Sequence, residues 1–86
     1  MEAFSMIQIK FFASLRESIG TSSLNLEYAG ESTVADVAKE LVERGEEWRL
    51  LEERDVLCAV NQTLCGKDAR VNDGDEIAFF PPVTGG

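Results

Sequence analysis

The chain has 86 residues, which is the size of one small domain. Its 16 acidic and 8 basic residues give a net charge of −8 at pH 7. This charge favours docking to a basic partner or simply keeps the protein soluble, but it does not suit the binding of nucleic-acid phosphates. No apolar run approaches the roughly 20 residues of a membrane span and no secretion signal opens the sequence, so we expect a cytoplasmic protein with no nucleic-acid or membrane partner.

The first part of the chain is typical of a strand followed by a short helix. Residues 1–5 show no regular pattern and are expected to form a flexible leader. Residues 7–11 alternate between apolar and polar side chains, which predicts a strand and leaves Phe12 facing away from the core. Ser14 and Glu17 have the spacing of a capping box, which predicts a short helix with Ser14 as its N-cap.

A second strand and the longest helix are predicted next. Residues 24–28 alternate in the same way and are expected to pair with the first strand. Thr33 is a natural N-cap, and Asp36 places a carboxylate near the free N–H groups of the first turn. Gly45 is expected to end this helix. The apolar residues between them have helical spacing and predict one buried stripe: Val34, Val37, Ala38, Leu41 and Val42.

The second half of the chain predicts two further strands. Trp48 is expected in a loose turn or short helix that packs its ring on the core. Residues 56–60 form a continuous apolar run that predicts a central strand, and residues 77–80 predict a final strand at an edge of the sheet. The order strand–strand–helix–strand–strand predicts an α+β domain of the β-grasp type over residues 6–80, with a mixed sheet of four to five strands crossed by one main helix.

Residues 81–86 are expected to be a tail outside the folded domain. Two prolines fix φ and favour an extended path away from the sheet, and the closing Gly-Gly pair has no Cβ atoms, which suits a narrow channel. We expect this tail to thread into the active site of another protein and to present the carboxylate of Gly86 as the reacting group. The alternative is a disordered end without a role. The residues expected to thread are Pro81, Pro82, Val83, Thr84 and Gly85.

The sequence offers no self-contained catalytic site and no metal site. It has no histidine, and it lacks the residue patterns of a nucleophilic triad or a phosphate-binding loop. Cys58 and Cys65 match no zinc or redox spacing. Cys58 lies in an apolar run and is expected to be buried, and Cys65 is expected to be structural rather than reactive.

Three apolar side chains are expected to form a partner interface. Phe12 and Phe80 fall on the face opposite the core by alternation, and Leu64 lies just past the predicted turn at Asn61. An exposed apolar patch on a small domain usually marks an interface. The alternative is that residues such as Trp48 cover this face.

The sequence resembles the family of molybdopterin synthase small subunits, which are ubiquitin-like β-grasp sulfur carriers. The likeness runs from Met6 onward and is only generic at residues 46–55. Three segments carry it: FFA–LRE near the start, AVNQTL at residues 59–64, and DGDEIAFFPPVTGG at residues 73–86.

This resemblance implies a carrier role for the tail. Gly86 would be adenylated by an E1-like enzyme that consumes ATP, and a sulfur donor protein would supply the sulfur of a thiocarboxylate. The tail would then enter the large subunit of a heterotetramer and donate sulfur to cyclic pyranopterin monophosphate, forming molybdopterin. The chain would be the sulfur-donating subunit of a sulfurtransferase whose catalysis occurs in the large subunit, with no permanently bound cofactor. Phe12, Leu64 and Phe80 match the contact surface of the family.

Two alternatives stay open at this point. The first is a sulfur carrier for another pathway, such as thiamine synthesis. The second is a ubiquitin-like modifier joined to target lysines through Gly86. The aromatic and diproline run of residues 79–82 favours the molybdopterin carrier over the thiamine carrier. The residues do not separate carrier from modifier, because the same adenylation serves both.

Overall fold

The computed structural model describes residues 6–28, 30, 33–53 and 55–82 of the chain. Within these residues there are five strands, two α-helices and one 3₁₀ helix. The strands are β1 (Met6–Phe11), β2 (Ser23–Glu27), β3 (Leu57–Val60), β4 (Thr63–Cys65) and β5 (Glu76–Phe80). The helices are α1 (Ala13–Ile19), α2 (Val34–Val42) and the 3₁₀ helix (Glu46–Glu52). Residues 1–5 lie outside the described part, so the leader stays a prediction.

The strands form one mixed sheet in the order β2-β1-β5-β3-β4, which confirms the predicted fold class. β1 and β5 are parallel, and the other neighbouring pairs are antiparallel. The final strand was expected at an edge and residues 56–60 at the centre; both expectations are wrong. β5 is the central strand, because its large apolar side chains pair with those of β1 on one side while β3 pairs on the other.

Alternation along β1 and β5 divides the sheet into a core face and an outer face. Phe11 and Phe79 are register partners, both are buried, and their rings stack with centroids 6.1 Å apart. Trp48 meets Phe11 edge-on at 5.6 Å, so it packs on the core face as expected and does not cover the outer face. The α2 side chains buried in the same core are Val34, Val37, Ala38 and Leu41, whereas Val42 is only half-buried.

The start of α1 differs from its prediction. The helix begins at Ala13, Phe12 is its N-cap, and no side-chain capping hydrogen bond forms at this described terminus, so the proposed Ser14 capping box is wrong. The N–H of Phe12 donates to the carbonyl of Phe79 at 3.2 Å, which extends the ladder past β1. The chain then turns at Ala13, whose φ is 55°, and this sharp turn leaves no extended residue at Ser14 to act as a cap. The helix ends at Ile19, and Gly20 is its C-cap with φ 83°.

The N-cap predicted at Thr33 is confirmed, and together with Asp36 it forms a capping box at the start of α2. The N–H of Asp36 donates to Oγ1 of Thr33, and the N–H of Thr33 donates to Oδ2 of Asp36, each at 3.2 Å. The end of the helix comes earlier than expected, because Glu43 is the C-cap and its N–H closes a tighter turn onto Glu40. Gly45 instead is the N-cap of the 3₁₀ helix.

Two tight turns place the later strands. Asn61 and Gln62 have φ values of 51° and 70°, and they close a hairpin between β3 and the short edge strand β4, which the sequence analysis treated only as residues past a turn. Gly74 has φ 88° in the turn before β5, a conformation that glycine adopts without strain. In the described part of the chain, no helix is long and apolar enough to cross a membrane.

Candidate partner surface and carrier tail

The outer face of the sheet brings together apolar side chains from three neighbouring strands. Strand register places Leu64 opposite Ala59, and Ala59 opposite Ala78. Leu57 lies opposite Phe80 in the next row on the same face. Since strands are about 4.8 Å apart and residues rise about 3.3 Å, the Cα atoms of Leu64 and Phe80 lie about 10 Å apart across the sheet and about 7 Å apart along it.

These residues form what we call the outer apolar patch: Phe12, Leu57, Ala59, Leu64, Ala78 and Phe80. Leu64 is 66% exposed and Phe12 is 45% exposed, which is unusual for large apolar side chains. Phe80 is half-buried, and Ala59 is buried beneath its neighbours. The structure therefore places all three sequence-predicted interface residues on the outer side, and their contact with a partner stays a prediction.

Sequence reasoning missed three members of the patch. Leu57 and Ala59 lie in the run predicted to be a central strand, and Ala78 lies in the predicted final strand, but none of the three was assigned to the interface. The available signal was the continuous apolar run at residues 56–60, because a strand that is apolar on both sides needs a cover for its second face. In this structure only the core face of β3 is covered by the described helices.

Polar groups border the patch toward the start of β5. Lys10 and Glu76 form an ion pair of 3.4 Å on the outer face. Beside it, the amide of Asn61 donates to Asp75 at 3.0 Å and its side-chain oxygen accepts from the N–H of Glu76 at 3.0 Å. An apolar centre with a polar margin is the usual anatomy of a protein interface.

The predicted tail leaves from the other end of β5, next to Phe80 of the outer apolar patch. Pro81 follows directly after Phe80 and is half-buried, and Pro82 is exposed. The other tail residues, from Val83 through Thr84 and Gly85 to Gly86, lie outside the described residues. The domain boundaries at residues 80 and 81 and the threading role of the tail stay predictions.

The two cysteines lie on the core side of the β3–β4 hairpin. Cys58 and Cys65 are register partners, both thiols are free, and their Sγ atoms are 3.9 Å apart. Cys58 is buried as predicted. Both border an open groove of about 450 Å³, beside Lys67, whose Nζ donates to the carbonyl of Glu53 at 2.6 Å. Among the described residues, no group of three or more metal-ligating side chains is present.

Most of the chain matches the sequence pattern of a known protein family. The model of the ThiS family matches residues 9–86. This chain belongs to the ThiS family. The match includes the outer apolar patch and the tail, and it confirms the family likeness drawn from the sequence.

The chain is similar to several known proteins, among them two sequence relatives and one solved structure. The chain is 46% identical over 82 residues to a molybdopterin synthase sulfur carrier subunit of Haemophilus influenzae, covering 94% of this chain and 100% of the relative. It is 32% identical over 90 residues to small archaeal modifier protein 3 of Haloferax volcanii, covering 93% and 98%. Its fold is similar to the solution structure of the Haloferax volcanii HVO 2177 protein, with a TM-score of 0.77, 28% identity, and coverage of 100% and 91%.

Proposed function

We propose that this ThiS-family chain is the sulfur carrier subunit of molybdopterin synthase. The proposal is supported by full-length similarity to a bacterial subunit of that name. The observation that carries it is the continuity of three features: the outer apolar patch, the central strand β5 that contributes to it, and the Gly85–Gly86 sequence that follows through two prolines. A docked patch would aim the tail at a site on the partner.

The chemistry of the tail follows from the carboxylate of Gly86. A free carboxylate is a poor acyl group, so an E1-like partner would join it to AMP from ATP and release pyrophosphate. A sulfur donor protein would then displace AMP and leave a thiocarboxylate, a soft nucleophile. No cofactor needs to stay bound to this chain, because ATP is consumed on the activating partner.

The thiocarboxylate would act in the active site of the large subunit. There the sulfur would pass to cyclic pyranopterin monophosphate, and the tail would return as a carboxylate. Because a dithiolene contains two sulfurs and each tail delivers one, every molybdopterin needs two loaded carriers. In this reaction the chain would donate the sulfur atom of a sulfurtransferase. A heterotetramer with two carriers on a dimer of large subunits fits this role.

The outer apolar patch is the surface proposed to bind the large subunit. Its exposed members Phe12 and Leu64 would lose their contact with water when a partner covers them. This burial stabilises the complex by about 25 cal/mol for each Å² of apolar area. The polar margin at Lys10 and Glu76 would fix the orientation more than the affinity. A cytoplasmic location belongs to this proposal, because the activating partner would need ATP.

A mass measurement tests the proposal. We expect that incubation with the cognate activating enzyme, ATP and a sulfur source adds ~16 Da at Gly86, as oxygen is replaced by sulfur after acyl activation. Omitting ATP, or deleting Gly86, should abolish the gain. Adding the large subunit and cyclic pyranopterin monophosphate should return the loaded chain to its original mass. No mass gain in the complete reaction would contradict the carrier role.

One observation favours a second function, that of a protein modifier. The relative from Haloferax volcanii is called a small archaeal modifier protein, and the same adenylated Gly86 could form an amide with a target lysine. The same reaction, run with a cell extract in place of the large subunit, separates the two functions. Adducts that resist thiol treatment and map Gly86 to lysines would support the modifier, and their absence beside sulfur transfer would support the carrier alone.

A further inference from the structure

The β3–β4 hairpin holds both cysteines of the chain, and the proposed function uses neither. Cys58 and Cys65 face each other across adjacent antiparallel strands, with their Sγ atoms 3.9 Å apart. The Cys58 thiol also lies 3.4 Å from the carbonyl oxygen of Cys65. A close dithiol of this kind is a chemical feature of its own, separate from the carrier tail.

The backbone of the hairpin suits a disulfide between these residues. Directly opposed residues of an antiparallel pair have Cα atoms about 4.5–5.5 Å apart, inside the range of about 4.4–6.8 Å in disulfides. Rotation of the two side chains can therefore bring the Sγ atoms of Cys58 and Cys65 to bonding distance. The strands need no change of register.

The two thiols differ in their access to small molecules. Cys58 is 1% exposed, whereas Cys65 is half-buried at the edge strand. Both line the groove of about 450 Å³, where Gly66 adds no side chain and Lys67 contributes a cation. A small reagent entering the groove would thus meet Cys65 first.

The raised pKa of Cys58 agrees with this order of access. Burial raises the pKa of Cys58 to about 12, and the charge and hydrogen bond of Cys65 add to this effect. The Cys58 thiol is thus a poor first nucleophile at neutral pH, because attack on a disulfide requires the thiolate. Once Cys65 holds the small thiol in a mixed disulfide, the 3.9 Å separation of the two sulfurs makes attack by Cys58 intramolecular, which offsets its small thiolate fraction.

We propose that Cys65 and Cys58 form a thiol–disulfide exchange site for small disulfides. The Cys65 thiolate attacks one sulfur of the small disulfide, forms a mixed disulfide and releases one small thiolate. Cys58 then attacks the Cys65 sulfur and gives its proton to the solvent, and the second small thiolate leaves. The two protein thiols lose two electrons, and the small disulfide is reduced to two thiols.

The product would be a crosslink across the hairpin. β4 has only three residues and, among the described strands, pairs with β3 alone, so the Cys58–Cys65 bond would fasten a weakly held edge strand. Leu64 lies on the opposite side of the same strand, in the outer apolar patch. Oxidation would therefore fix the most exposed residue of the patch in place.

Oxidised glutathione is the probe that tests this site. The full-length reduced protein is equilibrated with mixtures of oxidised and reduced glutathione, quenched in acid, alkylated and weighed intact. We expect the wild type to lose about 2 Da, for two hydrogens, and to resist alkylation at both cysteines. Cys58→Ser should stop at one stable glutathione adduct on Cys65, and Cys65→Ser should react at least tenfold more slowly.

Several results would overturn the proposal. These are a wild type that keeps a bound glutathione, a wild type that forms disulfide-linked dimers, and a wild type whose thiols both stay alkylatable in oxidised glutathione alone. Equal reaction rates of Cys58→Ser and Cys65→Ser would overturn the order of attack. The wild-type masses decide the outcome even if a variant fails to fold. None of these readouts involves Gly86, so failure here and failure of the carrier role are distinguishable.

Discussion

Phe11 and Phe12 are neighbours in the sequence, yet the strand turns them to opposite faces of the sheet. Phe11 is 1% exposed, stacks on Phe79 and meets Trp48 edge-on, whereas Phe12 is 45% exposed on the outer face. Identical side chains one position apart thus serve different ends. One contributes to the folding free energy and the other is available to a partner.

This pair allows a matched test of stability against binding. Phe11→Ala should lower the free energy of unfolding by about 3–5 kcal/mol, because a buried aromatic ring is lost and a cavity remains. Phe12→Ala should lower it by no more than about 1 kcal/mol. Urea denaturation followed by circular dichroism measures both changes.

Affinity for the large subunit should instead depend on the exposed ring of Phe12. In calorimetric titration with the large subunit, Phe12→Ala should weaken binding by about 1 kcal/mol or more, and Phe80→Ala should behave alike. Asn25→Ala, an exposed change elsewhere on the outer face, is the matched control and should bind normally. Unchanged affinity in Phe12→Ala and Phe80→Ala would show that the outer apolar patch is not the interface.

At the scale of elements, the two helices show what a capping motif can and cannot specify. Both Thr33 and Ser14 precede an acidic residue three positions later, yet only Thr33 makes the paired hydrogen bonds. The difference lies in the preceding chain. Thr33 is extended, with φ −136°, whereas the chain has already turned into a helix at Ala13, before it reaches Ser14.

Alanine substitution at the two sites should therefore have unequal effects. Thr33→Ala should destabilise the domain by about 1 kcal/mol, because the Oγ1 acceptor of an N-terminal N–H is lost. Ser14→Ala should change stability by less than about 0.5 kcal/mol. Thermal unfolding of both variants beside the wild type is the measurement. An equal loss of stability would mean that Ser14 also caps its helix.

The same contrast explains how far the sequence predicts this molecule. Period-two alternation identified β1 and β5 and the outward direction of Phe12 and Phe80, because a strand fixes its own side-chain faces. The order of the strands in the sheet could not be predicted from local sequence patterns. The central place of β5 depends on its parallel pairing with β1, more than 60 residues away, and no window of sequence contains that contact.

At the scale of the whole molecule, the strongly acidic chain carries an uncharged patch. The net charge is −8, yet the six residues of the outer apolar patch are all neutral. Such a division suits an encounter in which long-range attraction brings a basic partner close and apolar contact then holds it. The patch would govern the lifetime of the complex, and the charge would govern how fast it forms.

Salt should separate these two contributions. Raising sodium chloride from 0.05 to 0.5 M should slow association with the large subunit several-fold, because screening shortens the reach of the charges. The dissociation rate should change much less. Surface plasmon resonance over the salt series gives both rates. An association rate independent of salt would leave solubility as the role of the acidic charge.

The parallel pairing of β1 and β5 has a mechanical consequence. β1 begins at Met6 and β5 ends at Phe80, so the two outward ends of these neighbouring strands point in opposite directions. Tension applied between them would load the whole ladder in shear, and its hydrogen bonds would have to break together rather than one after another. With the Met6 end held, a pull on the tail would act along this ladder, so the tail could be withdrawn from a tight channel without unfolding the domain behind it.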